Sequence, residues 1–296
     1  GINAEYGCSN GKCCAKPEPT AQDLQNQVRE FYTDVVMNKC QSGTGVSCCS
    51  CVPQQADKLA KELGYTVEEL KMIPEGANMG LSCGNPAALA ELKAGEVVLD
   101  LGSGGGFDVF VAGKKVGATG KAIGVDMTPQ MLDKARRNQV VYNQSTGLSN
   151  VEFRLGEIEH LPIADNSVDV IISNCVLNLS TDKLQVWREI FRVLKPNGRV
   201  AVSDMALIKH LPEDVKIIAA SYSACIGGAV LISETEKMLK EVGMTNIKLT
   251  QKSDYVKAMI KFDDPLYKEV VSQLPNNAKV EDFITSLEVQ AIKPAK

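Results

Sequence analysis

Two groups of residues in this 296-residue chain have types and spacings that could do chemistry. The first is VVLDLGSGGGFD, where Asp100 closes an apolar run and Gly102, Gly104 and Gly106 follow at once. Glycines at that place let the backbone turn tightly and approach a ligand without a Cβ in the way. Alone the pattern is weak, because a dinucleotide-binding turn offers nearly the same loop. Asp126, closing the next apolar run KAIGVDM, adds a carboxylate able to accept hydrogen bonds from both hydroxyls of a ribose, and that too suits NAD. The second group is thiols. Of ten cysteines, Cys8, Cys13, Cys14, Cys40, Cys48, Cys49 and Cys51 crowd the start of the chain, while Cys83, Cys175 and Cys225 stand far apart. In a reducing compartment this arrangement suggests thiol chemistry more than disulfide stapling.

The elements that must position these groups are readable from periodicity. EVVLDLG (96–102), KAIGVDM (121–127), VEFRLG (151–156), SVDVIISN (167–174) and GRVAVSDM (198–205) read as strands. Helical patterns separate them at Phe107 to Lys115, Pro129 to Tyr142 and Lys183 to Leu194, with Thr128 and Pro129 as an N-cap and N1 pair. Strands and helices alternating at this spacing predict an α/β fold with a doubly wound, Rossmann-like parallel sheet. A ligand then sits at the carboxyl ends of the strands, where Cys175 follows the fourth strand, Cys83 lies on the approach to the first, and Cys225 lies on a helix after the fifth. Further helices are expected at Asp23 to Lys39, Thr66 to Met72 and SETEKMLKEVG. The expected divisions are a Cys-containing tail over 1–22, a helical and thiol-rich segment over 23–77, a main domain over 78–250 and a small C-terminal subdomain over 251–296.

Bulk composition narrows the classes. Hydrophobic residues make up 44% and charged residues 23%, with no apolar run long enough for a bilayer, so no membrane association is expected. A net charge of −4 without a basic stripe argues against nucleic acid as a partner. The first residues lack the basic start and apolar stretch of a secretory signal, which sets cytoplasm as the expected compartment. Cys8, Cys13 and Cys14 lack the paired spacing a zinc module needs, and His160 and His210 are poorly placed as general bases. We read the first three as a flexible thiol tail.

Beyond the glycine loop and Asp126, GEIEHLP follows the third strand and SNCVLNL the fourth. This ordered set resembles the class I S-adenosylmethionine-dependent methyltransferases over roughly residues 78–250. The resemblance implies S-adenosyl-L-methionine as cofactor, with Asp100, Gly102, Ser103 and Gly104 at its methionine part. Asp126 and Met127 would hold its ribose, Glu157 and Ile158 its adenine, and Asn174 would border it. Three thiolates suit a soft trigonal centre, and trivalent arsenic takes three sulfur ligands while keeping a nucleophilic lone pair.

The strings IPEGANMGLSCGNP, GVDMTPQML, EFRLGEIEHLPIADNSVDVIISNCVLNLS, FRVLKPNGRVAVSD and SACIGGAV are similar to the arsenite methyltransferases over nearly all of residues 70–245. That resemblance implies that Cys83, Cys175 and Cys225 bind and carry arsenic as substrate, and that one of Cys48, Cys49 or Cys51 joins a transient disulfide. It implies a detoxifying enzyme acting on arsenite, methylated arsenite or their thiol conjugates, with thioredoxin or glutathione as reductant, and we expect a monomer. Two departures are visible. Some family members carry Tyr-Gly where this chain has Leu81–Ser82, and others carry an acid where it has Ala224. The competing readings are a methyltransferase for an organic acceptor such as a quinone precursor, and a non-catalytic thiol-based metalloid binder.

Overall fold

The structure is a computed structural model that describes residues 20–37, 53–74, 76–212, 224–253, 255–257, 272, 274 and 278–295. Its frame is one seven-stranded sheet: β1 (Val97–Leu101), β2 (Lys121–Asp126), β3 (Val151–Leu155), β4 (Val168–Asn174), β5 (Leu194–Leu207), β6 (Thr245–Lys252) and β7 (Ile284–Ile292). The spatial order is β3-β2-β1-β4-β5-β7-β6. β1 to β5 pair in parallel, whereas β7 runs antiparallel to both β5 and β6. The order reverses between β1 and β4, and that switch point opens a crevice at the strand ends.

The helices are α1 (Ala21–Val36), α2 (Pro53–Glu62), α3 (Val67–Met72), α4 (Pro86–Leu89), α5 (Phe107–Val116), α6 (Pro129–Thr146), α7 (Lys183–Val193), α8 (Ala224–Gly227) and α9 (Ile232–Glu241). Both faces of the central parallel strands β1 and β4 are buried, and neighbouring residues serve opposite layers. Leu99, Leu101 and Ile171 join the layer of Trp187, Ile190 and Leu239, while Val98, Val170 and Ile172 join that of Phe110, Leu132 and Tyr142.

The five expected parallel strands are present, with two additions at the C-terminal side, β6 and β7. The stretch ITSLEVQAI, inside the segment read as a C-terminal subdomain, is β7, inserted between β5 and β6. Its apolar residues Leu287, Val289 and Ala291 join the main core, which is why it pairs there. Pro129 occupies the N1 position of α6 as expected, but the Thr128 side chain makes no capping hydrogen bond. No helix among the described residues is long and apolar enough to cross a membrane.

Candidate active site

At the end of β1 the chain enters Gly102, Gly104 and Gly106, with φ of +68°, +49° and +93°. L side chains rarely adopt such values, so glycine is favoured there. The Gly102 and Ser103 N–H groups both donate to the Val125 carbonyl (2.8 and 3.0 Å), which folds the loop over β2. The Gly104 N–H donates to Asp126 Oδ2 at 2.9 Å, and the Thr128 N–H to Asp126 Oδ1 at 2.8 Å. Asp126 is thereby locked to the loop beside a cavity of about 760 Å³, a volume that includes its open mouth.

Of the residues expected at a cofactor, Gly102, Gly104, Asp126, Met127, Ile158 and Asn174 line this cavity, and Cys175 joins them. Asp100, 4% exposed, and Ser103 stand behind the wall. Glu157 takes an ion pair from Arg29 at 3.3 Å, and Glu159 lines the cavity instead. Sequence reasoning missed Thr128, Met131, Gly156, Val176, Leu179 and Ser180 in the wall, together with Leu81 and two residues of α1, Gln25 and Tyr32. α1 reaches this position through Arg29–Glu157 and through Thr33, whose hydroxyl donates to Gln130 Oε1 at 3.4 Å.

Three acids lie close to one another here, Asp126 in the wall and Asp100 and Asp108 behind it. Burial and the charges of Asp108 and Asp126 push Asp100 well above the usual carboxylate range. Burial raises Asp108 to about 6 against the hydrogen bonds of Tyr65 and Asn174, and burial also raises Asp126 against donors from Thr128 and Gly104. None of the three forms an ion pair among the described residues. The Asp126 carboxylate, with no paired cation, a Cβ-free loop and apolar side chains from Met127, Met131, Ile158 and Leu179 fit a ligand that carries positive charge, a ribose and a flat ring.

Cys175 lines this cavity, and Cys83 lies behind it. Cys83 and Cys175, 92 residues apart in sequence, are joined in a disulfide with Cα atoms 6.0 Å apart. Both are buried, at 1% and 6% exposure. Cys83 is placed by its N–H, which donates to Asn174 Oδ1 at 2.9 Å. The Asn174 amide nitrogen donates to the Gly84 carbonyl (3.0 Å) and Asp108 (3.2 Å), and Tyr65 donates its hydroxyl to Asp108 at 2.6 Å. Asn174 therefore links cavity wall, buried acid and thiol. Cys175 holds a left-handed φ of +56°, fixed by its N–H donating to the Ser203 carbonyl at 2.8 Å. Non-glycine residues held there cluster at functional sites. Cys225 lies on α8, which packs on β5 and on the turn Leu177–Leu179 that follows Cys175. Its neighbour Ile226 joins the apolar cluster enclosing Cys83 and Cys175. Cys48, Cys49 and Cys51, with Cys8, Cys13, Cys14 and Cys40, lie outside the described residues.

One consequence of the buried acids is measurable. Asp108 and Asp204 each sit at about 6, above their usual value, so the folded chain binds protons more tightly than the unfolded one between roughly pH 4 and 6. Stability is expected to fall as pH rises through that window, with the whole penalty present above about pH 7. Calorimetry on cofactor-free protein should give a higher Tm at pH 5.5 than at 7.5. Asp108→Asn should recover about 1–3 kcal/mol at pH 7.5 and little at pH 5. A flat profile for the parent chain would contradict this account.

Glycine loop, ribose-side acid, strand order and cavity together define an S-adenosylmethionine-dependent methyltransferase, and residues 92–264 match the methyltransferase domain family. A crystal structure of an arsenic(III) S-adenosylmethionine methyltransferase from Chlamydomonas reinhardtii superposes with a TM-score of 0.57 at 29% identity, covering 80% of this chain and 73% of that one. The arsenite methyltransferase of Halobacterium salinarum is 38% identical over 93% of this chain and 68% of its own length. The human arsenite methyltransferase is 31% identical over 75% of this chain, and only 58% of its length is spanned. The chain belongs to the arsenite methyltransferase family.

Proposed function

We propose that the chain methylates trivalent arsenic, arsenite first and then methylated arsenite, held by the thiolates of Cys83, Cys175 and Cys225. The observation that carries this reading is the meeting of Cys83, from a distant segment, with Cys175, which lines the same cavity as Gly102 and Asp126. The role extends to arsenic detoxification in the cytoplasm by a monomer.

When bound, S-adenosylmethionine supplies an electrophilic methyl carbon on a positively charged sulfur. Gly102 and Gly104 would admit its methionine part, Asp126 would accept from its ribose, and Ile158 and Met127 would flank its adenine. Arsenite exchanges its hydroxyls for thiolates, each thiol proton leaving with a hydroxyl as water. The arsenic lone pair, held electron-rich by sulfur, would then form a bond to the methyl carbon as the carbon–sulfur bond breaks, with S-adenosylhomocysteine as the leaving group. No general base is required. Alignment by the fixed Cys175 backbone supplies most of the effect, and such positioning lowers barriers by roughly 7–11 kcal/mol at best.

Methyl transfer leaves arsenic pentavalent. Two thiolates return two electrons to it and become a disulfide, which a thioredoxin- or glutathione-type thiol reduces. One of Cys48, Cys49 or Cys51 would share in that exchange. The Cys83–Cys175 disulfide supports a pair that reaches the oxidised state and needs reduction before capture.

The test is product speciation. Chain, cofactor and arsenite should yield methylated arsenicals with a dithiol present and almost none without it. Methylation of a quinone precursor in preference to arsenite would replace this reading with the organic-acceptor one. Stoichiometric arsenite binding without cofactor consumption would leave only a metalloid binder.

A further inference from the structure

A third ligand-type atom accompanies the two sulfurs. A carboxylate oxygen of Asp204 lies within 4.8 Å of Cys83 Sγ and Cys175 Sγ, and all three residues are buried. Asp204 is pinned by the Met205 N–H (2.8 Å), the Asn178 N–H (3.3 Å) and the Asn178 amide (3.0 Å). No ion pair reaches it among the described residues, and Lys183 acts on it only through space. The Leu177 N–H also donates to Asp204, and this buried carboxylate beside the two sulfurs, with no contacting cation, is free to accept one more donor from a substrate bound there.

Resting on the arsenic reading above, we propose that Asp204 accepts a hydrogen bond from the hydroxyl that stays on arsenic once Cys83 and Cys175 have bound it. Asp204 thereby favours arsenite over arsenicals that keep no hydroxyl. Capture starts from the reduced pair. Each thiol replaces one hydroxyl: an As–O bond breaks, an As–S bond forms, and the thiol proton departs in water, with no change in oxidation state. Arsenite has three hydroxyls and retains one after two such exchanges. A mono-organic arsenous acid has two and retains none. A carboxylate oxygen within 4.8 Å of both sulfurs leaves space for that one O–H to point at it. In the native chain this hydroxyl is the one Cys225 would later displace, so Asp204 weights the first methylation over the second.

The test titrates arsenite and phenylarsenous acid calorimetrically into reduced, full-length protein. A Cys225→Ala background keeps a third thiolate from replacing the hydroxyl, and Asp204→Asn is compared within it, all other thiols being common to both arms. Arsenite binding should weaken about ten-fold or more, while the Kd of phenylarsenous acid stays unchanged. Equal weakening for both arsenicals, or for neither, overturns the role of Asp204 and leaves the arsenic reading standing. Absence of binding by either arsenical to the Asp204-containing protein defeats the arsenic reading itself. Should Asp204→Asn fail to fold, the Asp204-containing protein decides alone. Its preference for arsenite over phenylarsenous acid should exceed that of a simple free dithiol by about ten-fold, and an equal preference overturns the proposal.

Discussion

Replacing Cys175 by serine is expected to lower arsenite methylation by about 100-fold or more while leaving S-adenosylhomocysteine affinity within about three-fold. Cys175 stands on the cavity wall, and in the mechanism proposed above its loss removes one of the soft donors that hold arsenic for methyl transfer. Serine is close to cysteine in volume and shares its aversion to the left-handed region, so the backbone at φ +56° and its bond to Ser203 should survive. The measurement pairs speciated turnover with calorimetric binding of the demethylated cofactor and a Tm in reducing buffer. Retained turnover would remove Cys175 from the reaction. A parallel loss of cofactor binding and Tm would assign the effect to folding.

How far the site could be read in advance depends on what kind of signal each residue carries. The strands before Gly102 and Asp126 announce themselves by apolar runs bounded by turn residues, and the acid at each strand end follows from the fold class. Cys83, Cys175 and Cys225 were singled out only through the strings around them, since an isolated cysteine is more often a small core residue. Periodicity could not show that α1 covers the cavity. It says that one face of Ala21–Val36 is apolar, not that Tyr32 and Gln25 meet the ligand space. Glu157 and Glu159 lie two positions apart in an irregular turn closed by the Glu157–His160 bridge, where no repeat decides which one faces inward. Tyr65 and Asp108 form a contact across 43 residues, and Asp204 reaches the thiols through the register of β5 against β4 and β7; both are tertiary facts without a local trace.

The same distinction between local requirement and tertiary packing can be tested at Gly102. A Cβ built there would lie 2.4 Å from Val176 Cγ2, and φ is +68°, so alanine meets both backbone strain and a collision. Val176 also lines the cavity, and displacing it carries its methyl groups toward the ligand space. Gly102→Ala is therefore expected to weaken S-adenosylhomocysteine binding by about 100-fold and to cost about 1–3 kcal/mol of stability. Adding Val176→Ala separates the two causes. Clearing the collision should restore most of the cofactor affinity, whereas the part of the stability loss due to the left-handed φ should persist. Rescue of both quantities would mean the loop tolerates alanine and the glycine serves packing alone. Rescue of neither would mean that the backbone conformation at residue 102, and not the space beside it, governs entry of the cofactor.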